Sequence, residues 1–253
     1  MRLVSYNILN GGEGRADPLC EVILAQRPDV VVLVEADDLG VVQHIARRLN
    51  MDYVHASAGT HAGAILSGWP IASSINHTRD GRHWMNALVE AHVVDPVGVE
   101  WPIVAVHFAA HASEEREQLR EKQLDALFER IKHLNDRPHI LAGDFNSNTP
   151  SQQIDPTRCS PRTQQDWHDN GGVIPRRIVQ RLLDAGYTDT LHACTPGLAD
   201  ITGTYTTQFP GQRIDYVFTH GIYRSRIRSA WIEQDRLAKY ASDHYPIGVE
   251  IVV

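Results

Sequence analysis

"HILAGDFNSNTP", His139–Pro150, is the stretch on which the reading of this chain turns. Ile140-Leu141-Ala142 is an apolar, strand-like run that ends in Gly143. Asp144 and Asn146 follow, two residues apart. On an extended backbone, residues i and i+2 point the same way. A buried strand that ends by aiming a carboxylate and a carboxamide at one spot predicts a site, because strand-end loops carry function on a rigid sheet. Taken singly, an Asp or Asn after a strand is a turn former.

The same arrangement recurs along the chain. Asn7 closes the first strand pattern, Leu3 to Leu9. Glu35 closes "VVVLV", Val30–Val34, a continuous apolar run expected of a strand covered on both faces. His107 closes "PIVAV". Asp215 sits inside "RIDYVF", and Asp243 and His244 sit in "ASDHYP" just before the last strand. Turn chemistry accounts for one such residue more readily than for all of them.

Between these points the pattern alternates. Asp17-Pro18 reads as an N-cap followed by Pro at the first helical position, with a helix to about Gln26. Val41, Val42, Ile45 and Leu49 form a helical stripe. Ser113 caps a long helix whose core face is Leu124, Leu127, Phe128, Ile131 and Leu134. Strands are predicted at "AILS", "NALVEAHVV", "PIVAVHF", "RIDYVFT", "RIRSAWI" and "YPIGVEIVV", and a further helix at Arg176 to Ala185. The polar segment from Thr149 to Gly172 reads as a long loop, a length usually functional or mobile. No internal repeat and no dividing linker is visible. The expectation is one layered α/β domain over residues 1–253.

Composition excludes some classes. The chain has 253 residues, 42% hydrophobic and 22% charged, with a net charge of −7. No apolar run approaches the roughly 20 residues that cross a membrane, so no membrane insertion is expected. "MRLVSYNILNGG" reads as a first strand and lacks a signal-peptide cleavage site. Cys20, Cys159 and Cys194 show neither metal spacing nor an even framework, which fits a reducing, cytoplasmic setting; a secreted form whose leader had been removed would read the same. The negative charge argues against a whole surface built to grip nucleic acid, while leaving room for a local basic patch. A monomer is expected.

The strand-end residues also make a chemical set. Glu35 and Asp243 are hard oxygen donors suited to Mg²⁺ or Mn²⁺, and Asn7 adds a neutral oxygen. Such a cation offsets charge on a phosphate in the transition state. His107 and His244 suit proton transfer or phosphate binding at neutral pH. Asp215 is the best carboxylate partner for His244. Asp144 is placed to orient or deprotonate water, with Asn146 holding that water or donating to the phosphate.

"SYN" at Ser5–Asn7, Glu35 after an apolar strand, "HF" at His107, "GDFN" at Gly143–Asn146, "RIDYVF" at Arg213–Phe218 and "SDH" at Ser242–His244 occur in this order. Together they resemble the endonuclease/exonuclease/phosphatase superfamily, which includes DNase I-like nucleases, abasic-site endonucleases, sphingomyelinases and inositol-polyphosphate 5-phosphatases. The likeness runs from Ser5 to Ile247. It implies a four-layer α/β/β/α sandwich of two packed mixed β-sheets with the site at one end, and a Mg²⁺-dependent phosphoesterase. It implies Glu35 as main metal ligand beside Asn7 and Asp243, Asp144 and Asn146 at the nucleophile, Asp215 and His244 paired at the phosphate, and His107 on phosphate or leaving group.

The likeness departs from its members in ways that bear on substrate. The central tyrosine of abasic-site enzymes has no clear counterpart between Thr78 and Val89. Arg79 and Arg82 lie there as candidate phosphate contacts or as surface arginines, and His61 is a candidate cleft residue. The basic follow-up to "GDFN" in inositol phosphatases and the apolar hairpin of secreted sphingomyelinases are absent. Arg224, Arg226 and Arg228 in "RSRIR" form a comb on one face if extended, either a backbone-binding track or a charged edge strand. The expected activity is hydrolysis of phosphodiesters by in-line attack of water. A nuclease-like enzyme is the first reading. A small-molecule phosphatase or phosphodiesterase acting on nucleotide, inositol or lipid head-group phosphates is the second, and a non-catalytic binding module the rival class.

Overall fold

The computed structural model describes residues 1–80, 86–222 and 224–252. In chain order the strands are β1 (Arg2–Asn7), β2 (Val30–Val34), β3 (Asp52–Ala56), β4 (Gly63–Ser67), β5 (Ile71–Asn76), β6 (Val89–Val94), β7 (Glu100–His107), β8 (His139–Asp144), β9 (Thr188–Asp189), β10 (Asp215–His220), β11 (Ile227–Ile232) and β12 (Ile247–Ile251). The helices are α1 (Ala16–Ala25), α2 (Leu39–Leu49), α3 (Glu114–Arg130), α4 (Pro161–Asp169), α5 (Arg177–Asp184), α6 (Thr190–Cys194), α7 (Pro196–Ala199) and α8 (Arg236–Ala241).

The described strands form two six-stranded mixed sheets, ordered β11-β12-β1-β2-β4-β3 and β5-β6-β7-β8-β10-β9. β1 and β2 pair in parallel in the first, β7 and β8 in the second, and the other pairings are antiparallel. Strand alternation sorts the side chains into layers. Leu3, Val30, Val32, Ile103, Ala105, Ile140, Ala142, Val217, Ile247 and Val249 fill the space between the sheets. Tyr6, Val31 and Leu33 face outward and pack with residues of α1, α2 and α8. Val104, Leu141, Tyr216 and Phe218 face outward on the other sheet, under α3 and α5. This is the four-layer α/β/β/α sandwich, and it explains why "VVVLV" carries no polar residue: both faces are covered.

The same parity positions the site. Asn7, His107, Asp144 and Asp215 each continue the inward-facing row of their strand, after Leu3, Ala105, Ala142 and before Val217 respectively. Where the apolar row ends, the polar row begins. In the second sheet His107 and Asp215 both register opposite Asp144, which puts three of these residues side by side on adjacent strands.

Local readings need several corrections. α1 starts at Ala16, so Pro18 lies in its first turn but is not its first residue, and Asp17 is not its cap. Ser113 does cap α3, accepting from Arg116 N at 3.4 Å. The segment 149–172 is not a plain loop: it contains α4, capped by Ser160 with Pro161 at its start. Arg224 and Arg226 lie in a 3-10 turn rather than on extended backbone, and only Arg228 belongs to β11. β3, β5, β9, α6, α7 and α8 have no counterpart in the sequence reading. Among the described residues no helix is long and apolar enough to cross a membrane.

Candidate active site

The strand-end residues converge on one cleft of about 120 Å³, lined by Glu35, His107, Asp144, Asn146, Asp243 and His244 among others. Its centre is Asp144 Oδ2. Asn7 Nδ2 donates to that oxygen at 3.2 Å, His107 Nε2 lies 3.7 Å away and His244 Nε2 3.8 Å away. Asn7 Nδ2 also donates to Glu35 Oε1 at 3.0 Å. The Asn7 oxygen accepts from Leu9 N at 3.1 Å, so the carboxamide presents its nitrogen, not its oxygen, to the carboxylates.

Each side chain is held from behind. Glu35 follows β2 with φ 55°, which turns it back across the strand end, and Asn10 N donates to its Oε2 at 2.8 Å. His244 Nδ1 is 2.8 Å from Asp215 Oδ2, leaving Nε2 toward the cleft. Ser242 Oγ donates to Asn7 O at 2.7 Å and receives His244 N at 3.3 Å, tying the last loop to β1. Asn146 does not share a strand face with Asp144, because β8 ends at Asp144 and Asn146 has φ 48°. A tight turn places it instead: Asn146 N donates to Asp144 Oδ1 at 2.8 Å, and its Nδ2 donates to Phe108 O at 3.0 Å. Both residues still reach the cleft.

Electrostatics divides the set. Burial, then the adjacent Asp215 charge, push Asp144 up to about 8. Burial pushes His107 down to about 4, so it is neutral near pH 7. Burial also opposes the charge on His244, but the Asp215 charge and hydrogen bond outweigh it and raise His244 to about 10. Burial would raise Glu35, yet His107, Asn10 N and Asn7 together hold it below the ordinary carboxylate value. Burial raises Asp243.

A divalent cation fits this donor set. Four carboxylates, Glu35, Asp144, Asp215 and Asp243, gather at one strand end. Asp243 Oδ1 is buried without a hydrogen-bond partner among the described residues. Arg162 lines the cleft, but its Nη2 is 3.1 Å from Asp166 Oδ1. Carboxylates gathered in this number, two of them pushed toward the neutral acid by burial, suit a hard cation that would favour their ionised forms.

His61 stands at the edge, its ring 5.5 Å from that of His107 and its Nδ1 2.8 Å from Asp37 Oδ2, a hydrogen bond that raises its pKa. Arg82 lies outside the described residues, as does the side chain of Arg79. The structure adds residues not singled out in the sequence. α4 brings Arg162, Thr163 and Asp166 to the cleft, and the Tyr205 ring lies 4.8 Å from that of His244, tilted against it by 41°. Beneath, buried Arg120 donates to Ala109 O at 2.7 Å and His111 O at 2.6 Å while pairing with Glu117 at 2.8 Å. That pair fixes the loop that leaves His107 and brings His111 to the cleft. Only the Ser160-Pro161 cap signature advertised any of this in the sequence.

A family model described as Endonuclease/Exonuclease/phosphatase family matches residues 4–244, and the chain belongs to that family. Solved structures agree in fold. A 3′ phosphatase from Neisseria, NExo, bound to product DNA hairpin, superposes with TM-score 0.77 at 20% identity over 100% of both chains. A humanized D. rerio TDP2 gives 0.69 at 20% identity, over 98% of this chain and 97% of that one. An AP endonuclease from Archaeoglobus fulgidus gives 0.69 at 17% identity, over 100% of both. No curated protein matches in sequence.

Proposed function

We propose that the chain is a divalent-metal-dependent phosphoesterase that cleaves phosphodiesters, nucleic-acid ends or strands among them, by in-line attack of water. One observation carries the reading: an amide and two imidazoles converge within 3.2 to 3.8 Å of Asp144 Oδ2, beside Glu35 and Asp243. Glu35 and Asp243 would hold Mg²⁺ or Mn²⁺, with Asn7 as an oxygen donor only if its carboxamide turns over. When bound, the ion offsets charge on a phosphate oxygen and favours the ionised carboxylates around it. His244, oriented and charged through Asp215, donates from Nε2 to the phosphate. Asp144, poised near operating pH by burial and Asp215, takes the proton of the attacking water. Asn146, whose nitrogen is committed to Phe108 O, offers its oxygen to that water. Neutral His107 stabilises the leaving oxygen with its single N–H.

The neighbours support nucleic acid as substrate: NExo is a 3′ phosphatase bound to product DNA hairpin, and another Neisseria structure is named a 3′-5′ exonuclease. The second reading, a small phosphate ester, fits the same geometry: the cleft of about 120 Å³ is below the roughly 300 Å³ at which whole-ligand pockets begin, so it seats a phosphate group and leaves the rest of either substrate outside. Rates on an aryl phosphodiester, an aryl phosphomonoester, single-stranded DNA and a 3′-phosphorylated hairpin, with and without Mg²⁺, decide between them. Diester and DNA cleavage that vanish with chelator and in Asp144→Asn are expected. A monoester preferred throughout replaces the first reading by the second, and metal-independent turnover rejects both.

A further inference from the structure

The outward face of β6 breaks the pattern of its neighbours. Its inward residues Val89, Ala91 and Val93 are apolar, and Leu88 begins the outward row. Glu90 and His92 continue that outward row, and both are buried, Glu90 completely. Three imidazoles close on the Glu90 carboxylate. His92 Nε2 lies 2.6 Å and His133 Nε2 2.9 Å from the same oxygen, Oε1, and His77 Nε2 lies 2.8 Å from Oε2. His133 comes from the 3-10 turn after α3, and His77 from the turn after β5. None of these residues belongs to the catalytic cleft.

We propose that Glu90, His92 and His133 form a second metal site, one for Zn²⁺ or a similar borderline cation. His92 is gripped on both sides: its Nδ1 is 2.8 Å from Glu100 Oε1 while its Nε2 faces Glu90 Oε1 at 2.6 Å. With a cation on Nε2, the ring is neutral and donates only to Glu100. A carboxylate orienting a ligating imidazole from behind is the usual support of such sites. His77 on the second oxygen aligns Glu90 in the same way. The three ligand atoms lie within 4.8 Å of one another. Tetrahedral Zn²⁺ separates its ligand atoms by roughly 3.3 Å, so from 2.6 and 2.9 Å His92 must draw back from Glu90 Oε1 by roughly 0.7 Å and His133 by roughly 0.4 Å. His133, 40% exposed at its side chain, has room to do so and leaves the fourth position to water. Two imidazoles and one carboxylate select zinc over the magnesium suited to the all-oxygen cleft. The ion would clamp β6 to the end of α3.

The test uses the full chain, stripped by chelator, dialysed and held in excess Mg²⁺ so that the acidic cleft is occupied, then titrated calorimetrically with Zn²⁺. The wild type should take one equivalent. His133→Ala, on the exposed side, should weaken that binding at least tenfold, and Glu100→Gln roughly 10–100-fold, with circular dichroism showing both folded. Glu35→Gln should bind zinc as the wild type does. Zn²⁺ should raise the melting temperature of the wild type and not of His133→Ala. A wild type that takes no zinc under Mg²⁺ overturns the proposal and leaves a proton-held cluster. Equal binding by His133→Ala also overturns it, since the ion is then elsewhere. Loss of zinc in Glu35→Gln, with His133→Ala unaffected, assigns the ion to the cleft.

Discussion

Asp144 and Glu35 are both carboxylates in one cleft, yet burial treats them in opposite ways. Glu35 is satisfied by Asn10 N and Asn7 and sits below its ordinary value, so its ionised form stabilises the fold. Asp144 is raised from 3.8 to about 8 by burial and by Asp215. A group raised in this way contributes stability that is fully present below 3.8 and lost as pH rises to about 8. Asp144→Asn should therefore stabilise the metal-free protein, by about 0.5–2 kcal/mol, the scale of relieving a strained functional site. The gain should grow between pH 4 and 8 and level off above. Glu35→Gln should bring no such gain, but should weaken Mg²⁺ binding and activity together. Thermal melts across pH in chelator, beside Mg²⁺ titrations, check both. A Glu35→Gln protein with unchanged metal affinity removes Glu35 from the ligand set.

His244 carries the complementary pH prediction. Its raised pKa depends on Asp215, since burial alone would lower it. If the charged ring binds phosphate, kcat/KM falls on the alkaline side near 10 as the proton leaves. In Asp215→Asn the alkaline limb should move toward neutrality, and kcat should drop roughly 10²-fold or more even at its new optimum. An alkaline limb that stays in place means another group titrates there.

At the scale of elements, the positions of the candidate site's side chains rest on how closely β7 and β8 approach. Gly143 has φ 143°, and a Cβ there would lie 1.9 Å from Val106 O, a backbone atom with no freedom to yield. Gly143→Ala must push the two strands apart or unfold them, just where His107 and Asp144 register. We expect a destabilisation of about 4 kcal/mol or more and loss of activity in whatever protein remains folded. Melts and residual turnover measure it, and a stable, active alanine variant shows that the strands tolerate the separation. The glycine's necessity was not legible in "LAGDF", although the end of the strand was. Apolar runs ending in polar residues betrayed the buried strands and most of the site, because a strand covered on both faces must be apolar until it reaches a cleft. Edge strand β5 escaped, since Ser73 and Ser74 face solvent and no apolar alternation remains. α4 escaped for a different reason. Its buried face is polar: Thr163 donates to Gln212 at 2.8 Å and Asp166 accepts from Ala112 N at 2.9 Å, so the helix has no apolar stripe. Glu117 and Arg120 look like the solvent face of α3, and only the packing of α5 and the His107 loop makes them interior.

For the whole molecule, the question is how a chain of net charge −7 meets a polyanion. The candidate track, Arg224, Arg226 and Arg228, is engaged elsewhere. Arg224 donates to Ala193 O at 2.6 and 2.9 Å, Arg226 donates to Val252 O at 2.9 Å and lies 5.2 Å over the Trp101 ring, and Arg228 pairs with Glu250 at 2.8 Å. These contacts pin the start of β11 and the end of β12. A phosphate backbone laid there would have to displace them, and each neutralised phosphate adds roughly 0.9 to the slope of log affinity on log salt for duplex DNA. Replacing all three arginines by Ser should therefore lower the melting temperature while leaving the ratio of DNA to aryl-diester cleavage, and the salt slope of DNA cleavage, unchanged. The cation and the charged His244 would then supply the main attraction, local to one phosphate, and DNA cleavage should be weakly sequence-selective. A triple variant that loses DNA cleavage selectively and flattens the salt slope restores the comb as a nucleic-acid track, with its carbonyl contacts surrendered on binding.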